Sequence, residues 1–447
     1  MIFKNCQISS GKANETRVVD ILVHNGKIND IQGELLVDEP VVDIGKKLLI
    51  PGGIDPHVHF NEPGFTHHED FMHGTASAAR GGVTTIIDMP CTSLPPVTCL
   101  DHLQKKLSVI QSKAIVDYAL WGGVCGSEFQ NHEWEAGMSE LTEAGVIGFK
   151  TYSISGMDTF PALSPDQFEQ VLQKAKNLDI LVGHHAEDPK LIAQLTRKYQ
   201  QKGRTDAEAY WLARPRDAEV LACKRAISLA QRYGAALHIV HVSSAPAARM
   251  IAASTATCET CPHYLAFGKE DLLEQKGFLK TAPVVKTRED AQQLWALLAA
   301  GDIDFLATDH APCTLAEKQT GSIWTDYGGV PGTELMINFA FSEGVAKGKL
   351  TLSRFVETVS TAAAKRFRLA PRKGMLCPGA DADFAIIDPD IQWKVSAKLE
   401  SKGQFTPFEG HVFQGRVVAT YLRGRKIFDL DSGVDYSPHG EWIKPAI

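Results

Sequence analysis

Eight apolar, β-rich runs punctuate the chain between Leu48 and Pro312, and helix-like stretches separate most of them. The runs cover residues 48–59, 83–90, 115–124, 146–153, 180–186, 236–243, 256–265 and 303–312. They are apolar on both faces, as strands covered by helices must be. Residues 164–178 form an amphipathic stretch that opens with Ser164-x-x-Gln167 as a capping box and Pro165 at the first helical position. Residues 216–234 and 287–301 have the same helical character and end at glycine. Eight strands alternating with helices predict an α/β chain folded as a (β/α)8 TIM barrel.

The two ends carry a different pattern. Residues 19–24 and 27–31 read as a hairpin turning at Asn25-Gly26, a strong two-residue turn signal. Residues 382–388, then 416–422 turning at Arg423-Gly424 into 425–428, are again short strands. The expectation is a small β-sandwich built jointly by the ends. Its N-terminal part is 1–52 and its C-terminal part 371–447, with the barrel occupying 53–370.

Charge and cysteine usage narrow the class of protein. In 447 residues, 46 Lys and Arg against 53 Asp and Glu leave a net charge of -7, with no run of like charges, which argues against nucleic acid or anionic membrane partners. No apolar stretch approaches the ~20 residues of a membrane-spanning helix, and residues 1–17 lack the apolar core of a signal peptide. A cytoplasmic protein is expected. Nine cysteines without regular spacing read as reduced thiols. Cys258-x-x-Cys261 has no second CxxC to complete a zinc site and reads as strand. Cys91 and Cys313 fall just beyond strand ends, where a pocket is expected.

Barrel active sites gather at the C-terminal ends of the strands. That rule collects His57, His59, Lys150, one of His184 and His185, His241 and Asp309. In an extended strand, side chains two apart share a face, so His57 and His59 can converge on one ion. The HxH pair alone also fits two histidines near a turn; five agreeing strand ends favour a metal pocket. Imidazoles and a carboxylate suit zinc or a similar divalent ion. Asp309 fits both ligation and general-base work. His184 and His185 are adjacent, so only one can face inward, and His238 reads as structural. Lys150 is the odd member, since an ammonium is no ligand.

Residues 51–64, Pro-Gly-Gly-Ile-Asp-Pro-His-Val-His-Phe-Asn-Glu-Pro-Gly, resemble the first-strand motif of the cyclic amidohydrolases: dihydroorotases, allantoinases and hydantoinases. The similarity continues through 82–90, 148–150, 185–188, 240–244, 259–264, 308–312 and 379–383, which is essentially the whole chain. The resemblance implies two divalent metal ions, zinc in the first instance. His57 and His59 would hold one and His185 and His241 the other, with Lys150, carboxylated on its amine, bridging them. Asp309 would complete the first shell and move the proton while a metal-bridging hydroxide attacks a ring carbonyl. His263, Pro331 and Gly332 join Asn61, Cys91 and Ser155 as implied substrate contacts, and a homodimer or homotetramer as the implied assembly.

The substrate follows from departures within the family pattern. Dihydroorotases carry arginine and asparagine where this chain has Asn61 and Cys91, and neither replaces a guanidinium on a carboxylate. Arg214, Lys280 or Lys286 are the cations that could compensate. Residues 61–64, 93–96 and 155–161 are similar to allantoinases, although Cys91-Thr92 stands where those carry leucine-asparagine; hydantoinases carry tyrosine at the place of Ser155. The expectation is a cyclic-ureide hydrolase of allantoinase type, with dihydroorotase as the alternative. A noncatalytic scaffold is a minor alternative, because the chain retains every metal ligand.

Overall fold

Each central apolar run supplies one barrel strand: Gly53–Val58, Val83–Asp88, Asp117–Leu120 continued by Gly122–Gly123, Phe149–Tyr152, Val182–His185, Leu237–Ile239, Thr257–Thr260 and Phe305–Leu306. The computed structural model describes residues 1–36, 38–130 and 133–446, so the last residue of the C-terminal segment lies outside the described residues. The strands pair in parallel around the ring, and a bridge between Val58 and His310 closes the eighth onto the first. Glycines make room for the filling of this ring: a Cβ on Gly148 would lie 2.6 Å from Trp121, and one on Gly183 2.9 Å from the same indole. Trp121 donates to the Pro56 carbonyl at 3.2 Å and packs edge-on against Phe367, a floor beneath the strand ends.

Every run is longer than the barrel strand inside it, and in three of them the extra residues do something else. Run 48–59 is two strands in two sheets, because Leu48–Pro51 pairs with Phe384–Lys394 and only Gly53–Val58 enters the barrel. Both halves are buried on all sides, so burial alone gives no sign of the change of partner. Run 256–265 stops at Thr260, and Pro262 opens the short helix Pro262–Ala266. In run 303–312 the strand is only Phe305–Leu306. Beyond it, the Thr308 N–H and hydroxyl donate to Asp55 at 3.0 and 2.5 Å, which bolts the eighth strand's exit to the first strand.

The helices follow their local signals. Ser164 and Gln167 form the reciprocal cap on Pro165–Asn177, and Gly234 and Gly301 end their helices at φ 64° and 88°. The left-handed backbone there favours glycine.

Residues from both ends make one nine-stranded sheet. Its tight N-terminal hairpin, Thr16–His24 with Lys27–Gln32, turns through Asn25 and Gly26 at φ 52° and 74°. That turn lies against Arg423 of the last long hairpin, so the sheet folds back on a shared core that includes Phe3, Ile21, Leu49, Phe384 and Tyr421. This is the β-sandwich. Lys373 joins sandwich to barrel, buried among Asp117 of the third barrel strand, Asp381 and Asp383. The tail then returns to the barrel, with hydrogen bonds from His439 to Ala114, Ile443 to Tyr118 and Ala446 to Arg368.

Candidate metal centre

His57 lies in the first barrel strand and His59 just past it, and their rings come within 5.3 Å of each other. His57 Nδ1 is held by Glu259 Oε1 at 2.5 Å, which turns Nε2 toward the pocket. His59 Nδ1 faces Thr92 and Cys91, leaving its Nε2 likewise pocketward. Both Nε2 atoms converge on Asp309 Oδ1, at 3.2 Å from His57 and 3.1 Å from His59. These three residues meet the spacing of a metal-ligand group.

A second pair sits beside the first. His185 ends the fifth strand and His241 follows the sixth, with His185 Nδ1 and His241 Nε2 facing each other at 3.0 Å. The His57 and His241 rings are 5.3 Å apart, so the two groups share one pocket. His185 Nε2 is fixed by Glu187 at 3.0 Å, and Glu187 is in turn paired with Arg214. Of the two adjacent histidines, His185 is therefore the inward one. His184 bonds Thr151 at 2.8 Å and stacks on Phe168 of the surrounding helix. His238 is structural, held between Thr257 and Glu259.

Lys150 lies in the fourth strand, fully buried, with its amine 4.8 Å above the Tyr152 ring. Among the described residues, the Lys150 Nζ, His57 Nε2 and His241 Nδ1 atoms are buried without a hydrogen-bond partner. Leaving buried polar atoms unpaired is costly, and a divalent cation would take up the His57 Nε2 and Asp309 Oδ1 atoms that face each other at 3.2 Å. The residues present thus fit a divalent metal. Electrostatics agree: burial pushes the Lys150 amine down to about 8 and the His57 imidazole down to about 4. Burial alone would raise the Asp309 carboxyl, but the facing imidazoles hold it well below the usual carboxylate range. Against the effect of burial, the Cys91 thiol and the Asp309 carboxylate push the His59 imidazole up to about 10, so His59 gives up a proton on binding a metal, whereas His57 and Asp309 already stand in their ligating forms.

The backbone at the site is bent to aim these groups. Asn61, His241 and Asp309 all have left-handed φ, at 58°, 41° and 49°, conformations that cluster where function holds them. Asn61 is buried and its amide donates to the His59 carbonyl at 3.0 Å. Cys91 reaches the site, with Sγ 3.1 Å from the Tyr152 hydroxyl and 3.7 Å from His59. His263 is buried at the start of its helix, and its Nε2 has no hydrogen-bond partner among the described residues. Ser155 is half-buried and its hydroxyl accepts from the Met157 N–H at 3.1 Å, turned into its own loop. Gly332 donates to His310 at 3.1 Å, and the buried Pro331 lies against Gly403, so both back the rim. Cys313 does not face the pocket: it packs with Val330 and Phe405, and burial pushes its thiol up to about 11. All nine cysteines are free.

Sequence reasoning missed the carboxylates behind the ligands. Glu259 receives His57, His238 and the His241 N–H together. Its signal was available as a lone acidic residue inside an apolar strand. Asp88 is the same kind of residue, accepting from the Phe60 N–H at 2.8 Å and pairing with Lys106. Carboxylates that orient ligating histidines typically govern metal affinity by 10–100-fold. Glu259→Gln is accordingly expected to weaken metal binding by about 10–100-fold with the fold intact, read by competition with a chromogenic chelator.

The three cations expected to compensate for the missing carboxylate clamp are committed elsewhere. Arg214 pairs with Glu187, Lys286 donates to the Arg214 carbonyl at 2.9 Å, and Lys280 donates to the Asp326 carbonyl.

Comparison with known proteins bears on this geometry. The family described as "Amidohydrolase family" matches residues 48–427. An allantoinase of Deinococcus radiodurans is 34% identical over 436 residues, covering 96% of this chain and 95% of that one. An allantoinase of Rubrobacter xylanophilus is 36% identical over 439 residues, covering 96% and 94%. Among solved structures, the L-hydantoinase (dihydropyrimidinase) from Arthrobacter aurescens superposes with a TM-score of 0.94 at 30% identity, covering 99% of each chain.

Proposed function

The chain belongs to the amidohydrolase family, and from that premise we propose that it opens a neutral cyclic ureide of the allantoin type by metal-dependent hydrolysis of a ring C–N bond. His57, His59 and Asp309 would hold one divalent ion and His185 and His241 a second, zinc being the ion that suits imidazole and carboxylate donors. Lys150 would bridge them as a carbamate. The neutral amine is the form that adds carbon dioxide, and burial favours it. When bound, the ions supply Lewis acidity and make a water acidic enough to ionise near neutral pH.

The chain's own groups do the rest. Glu259 and Glu187 fix the ring orientations of His57 and His185. Asp309 takes the proton of the attacking water and returns it to the departing ring nitrogen, which needs one carboxylate oxygen free of the metal. Asn61, Cys91, Ser155, His263, Pro331 and Gly332 are proposed to shape the substrate pocket. A cytoplasmic homodimer or homotetramer completes the reading; no helix among the described residues is long and apolar enough to cross a membrane. The domain limits are proposed at 1–52, 53–370 and 371–447.

One observation carries the choice of ring: Asn61 and Cys91 occupy the clamp positions, and Arg214, Lys280 and Lys286, the cations that could compensate, are each engaged by other groups. A lost charge-assisted contact is worth roughly 1.5–3 kcal/mol, about one to two powers of ten in specificity. Steady-state assays should give a higher kcat/KM for allantoin than for dihydroorotate. The reverse order would transfer the assignment to dihydroorotase.

A further inference from the structure

His67 and His68 lie in the loop that follows the first barrel strand, and Glu317 lies in the short turn Ala316–Lys318 of the loop that follows the eighth. The loops leave the same end of the barrel and meet above the pocket. One ligand-type atom from each of these three residues falls within 4.8 Å of the others. The two imidazoles are 4.1 Å apart, and His68 Nε2 stands 2.7 Å from Glu317 Oε1.

Packing holds this group in place. Phe65 stacks on His68 at an interplanar angle of 9°, and the Tyr327 ring meets it edge-on at 5.1 Å. Glu317 Oε2 accepts from both the N–H and the hydroxyl of Thr314, at 3.0 and 2.6 Å, which fixes the carboxylate and aims Oε1 at the histidines. Among the described residues, the ion-pair partner of Glu317 is His68 alone. The contrast with Asp117, Asp381 and Asp383 is direct, because Lys373 already fills that triad. His67 is exposed, so a fourth position at the loop group is open to water.

We propose that His67, His68 and Glu317 form a separate binding site for a zinc-like divalent ion, which ties the two mouth loops together when loaded. Two imidazoles, one carboxylate and a water make a four-coordinate set suited to such an ion. None of the three belongs to the ligand set proposed for catalysis. The tether follows from geometry: the ion would replace the His68–Glu317 hydrogen bond by bonds to side chains on both loops, beyond the contact of His310 with Glu69 deeper between them.

The test is a zinc count after equilibrium dialysis with zinc in excess, comparing His67→Ala and Glu317→Gln with the parent, each also in a Lys150→Ala background. Each variant is expected to bind one zinc fewer per chain in either background. That difference is read whether or not the catalytic reading holds, so the two can fail separately. Equal counts in parent and both variants would overturn the site. Glu317→Gln keeps an acceptor for Thr314 and His67 is exposed, so neither change should unfold the loop. Hydrogen exchange in 61–69 and 313–327 should slow on adding zinc to the parent and not to His67→Ala. Exchange unaffected by zinc in the parent would overturn the tether.

Discussion

Replacing Lys150 by alanine is expected to strip the protein of most of its catalytic metal and nearly all of its turnover, the largest loss among the site variants. Lys150 lies in the fourth strand and among the described residues its buried amine has no hydrogen-bond partner, while His57 pairs with Asp309 and His185 faces His241. No neighbouring side chain can take over a bridge between them: Tyr152 turns its hydroxyl to Cys91, and Glu259 and Glu187 are occupied behind the histidines. The alanine variant should recover part of its metal and activity in millimolar acetate or propionate, whose carboxylate stands in for the carbamate. Metal content by mass spectrometry and turnover checked together decide the point. Full metal and full rate in the variant would remove the bridge from the account.

Asp309→Asn is the second large effect. The amide is isosteric and preserves the left-handed turn at this position, so the fold and much of the metal should survive. The amide cannot accept and return a proton, and a positioned acid/base group contributes about 10²–10⁴-fold. Turnover should fall by at least ~10²-fold, with a smaller change in KM. Activity near the parent's would move proton transfer to another group, with His263 the first to examine because its imidazole is buried, unpaired and pushed down to about 4 by burial.

Much of this site was legible in the sequence because it obeys local rules. Asn25-Gly26 specifies its hairpin, Ser164 and Gln167 their cap, and the strand-end rule points to His57, His59, Lys150, one of His184 and His185, His241 and Asp309, with the family resemblance choosing His185. What escaped depends on partners far along the chain. Glu259 and His57 are 202 residues apart, and nothing local says that one carboxylate will hold three groups. The run 48–59 reads as one strand because both of its halves are wholly buried; only the pairing of Leu48–Pro51 with Phe384–Lys394 divides it. Cys313 follows a strand exit as Cys91 does, but the chain bends to set it in an apolar cluster.

The central claim is that ring opening runs on metal held by these six side chains, and reconstitution tests it most directly. Protein stripped with a chelator should be inactive toward allantoin, and zinc titrated back into His67→Ala protein, which lacks the loop site, should restore ring opening in proportion, with a break at two equivalents per chain. Activity that survives chelation, or zinc-loaded protein that binds two equivalents and opens no cyclic amide, would contradict it.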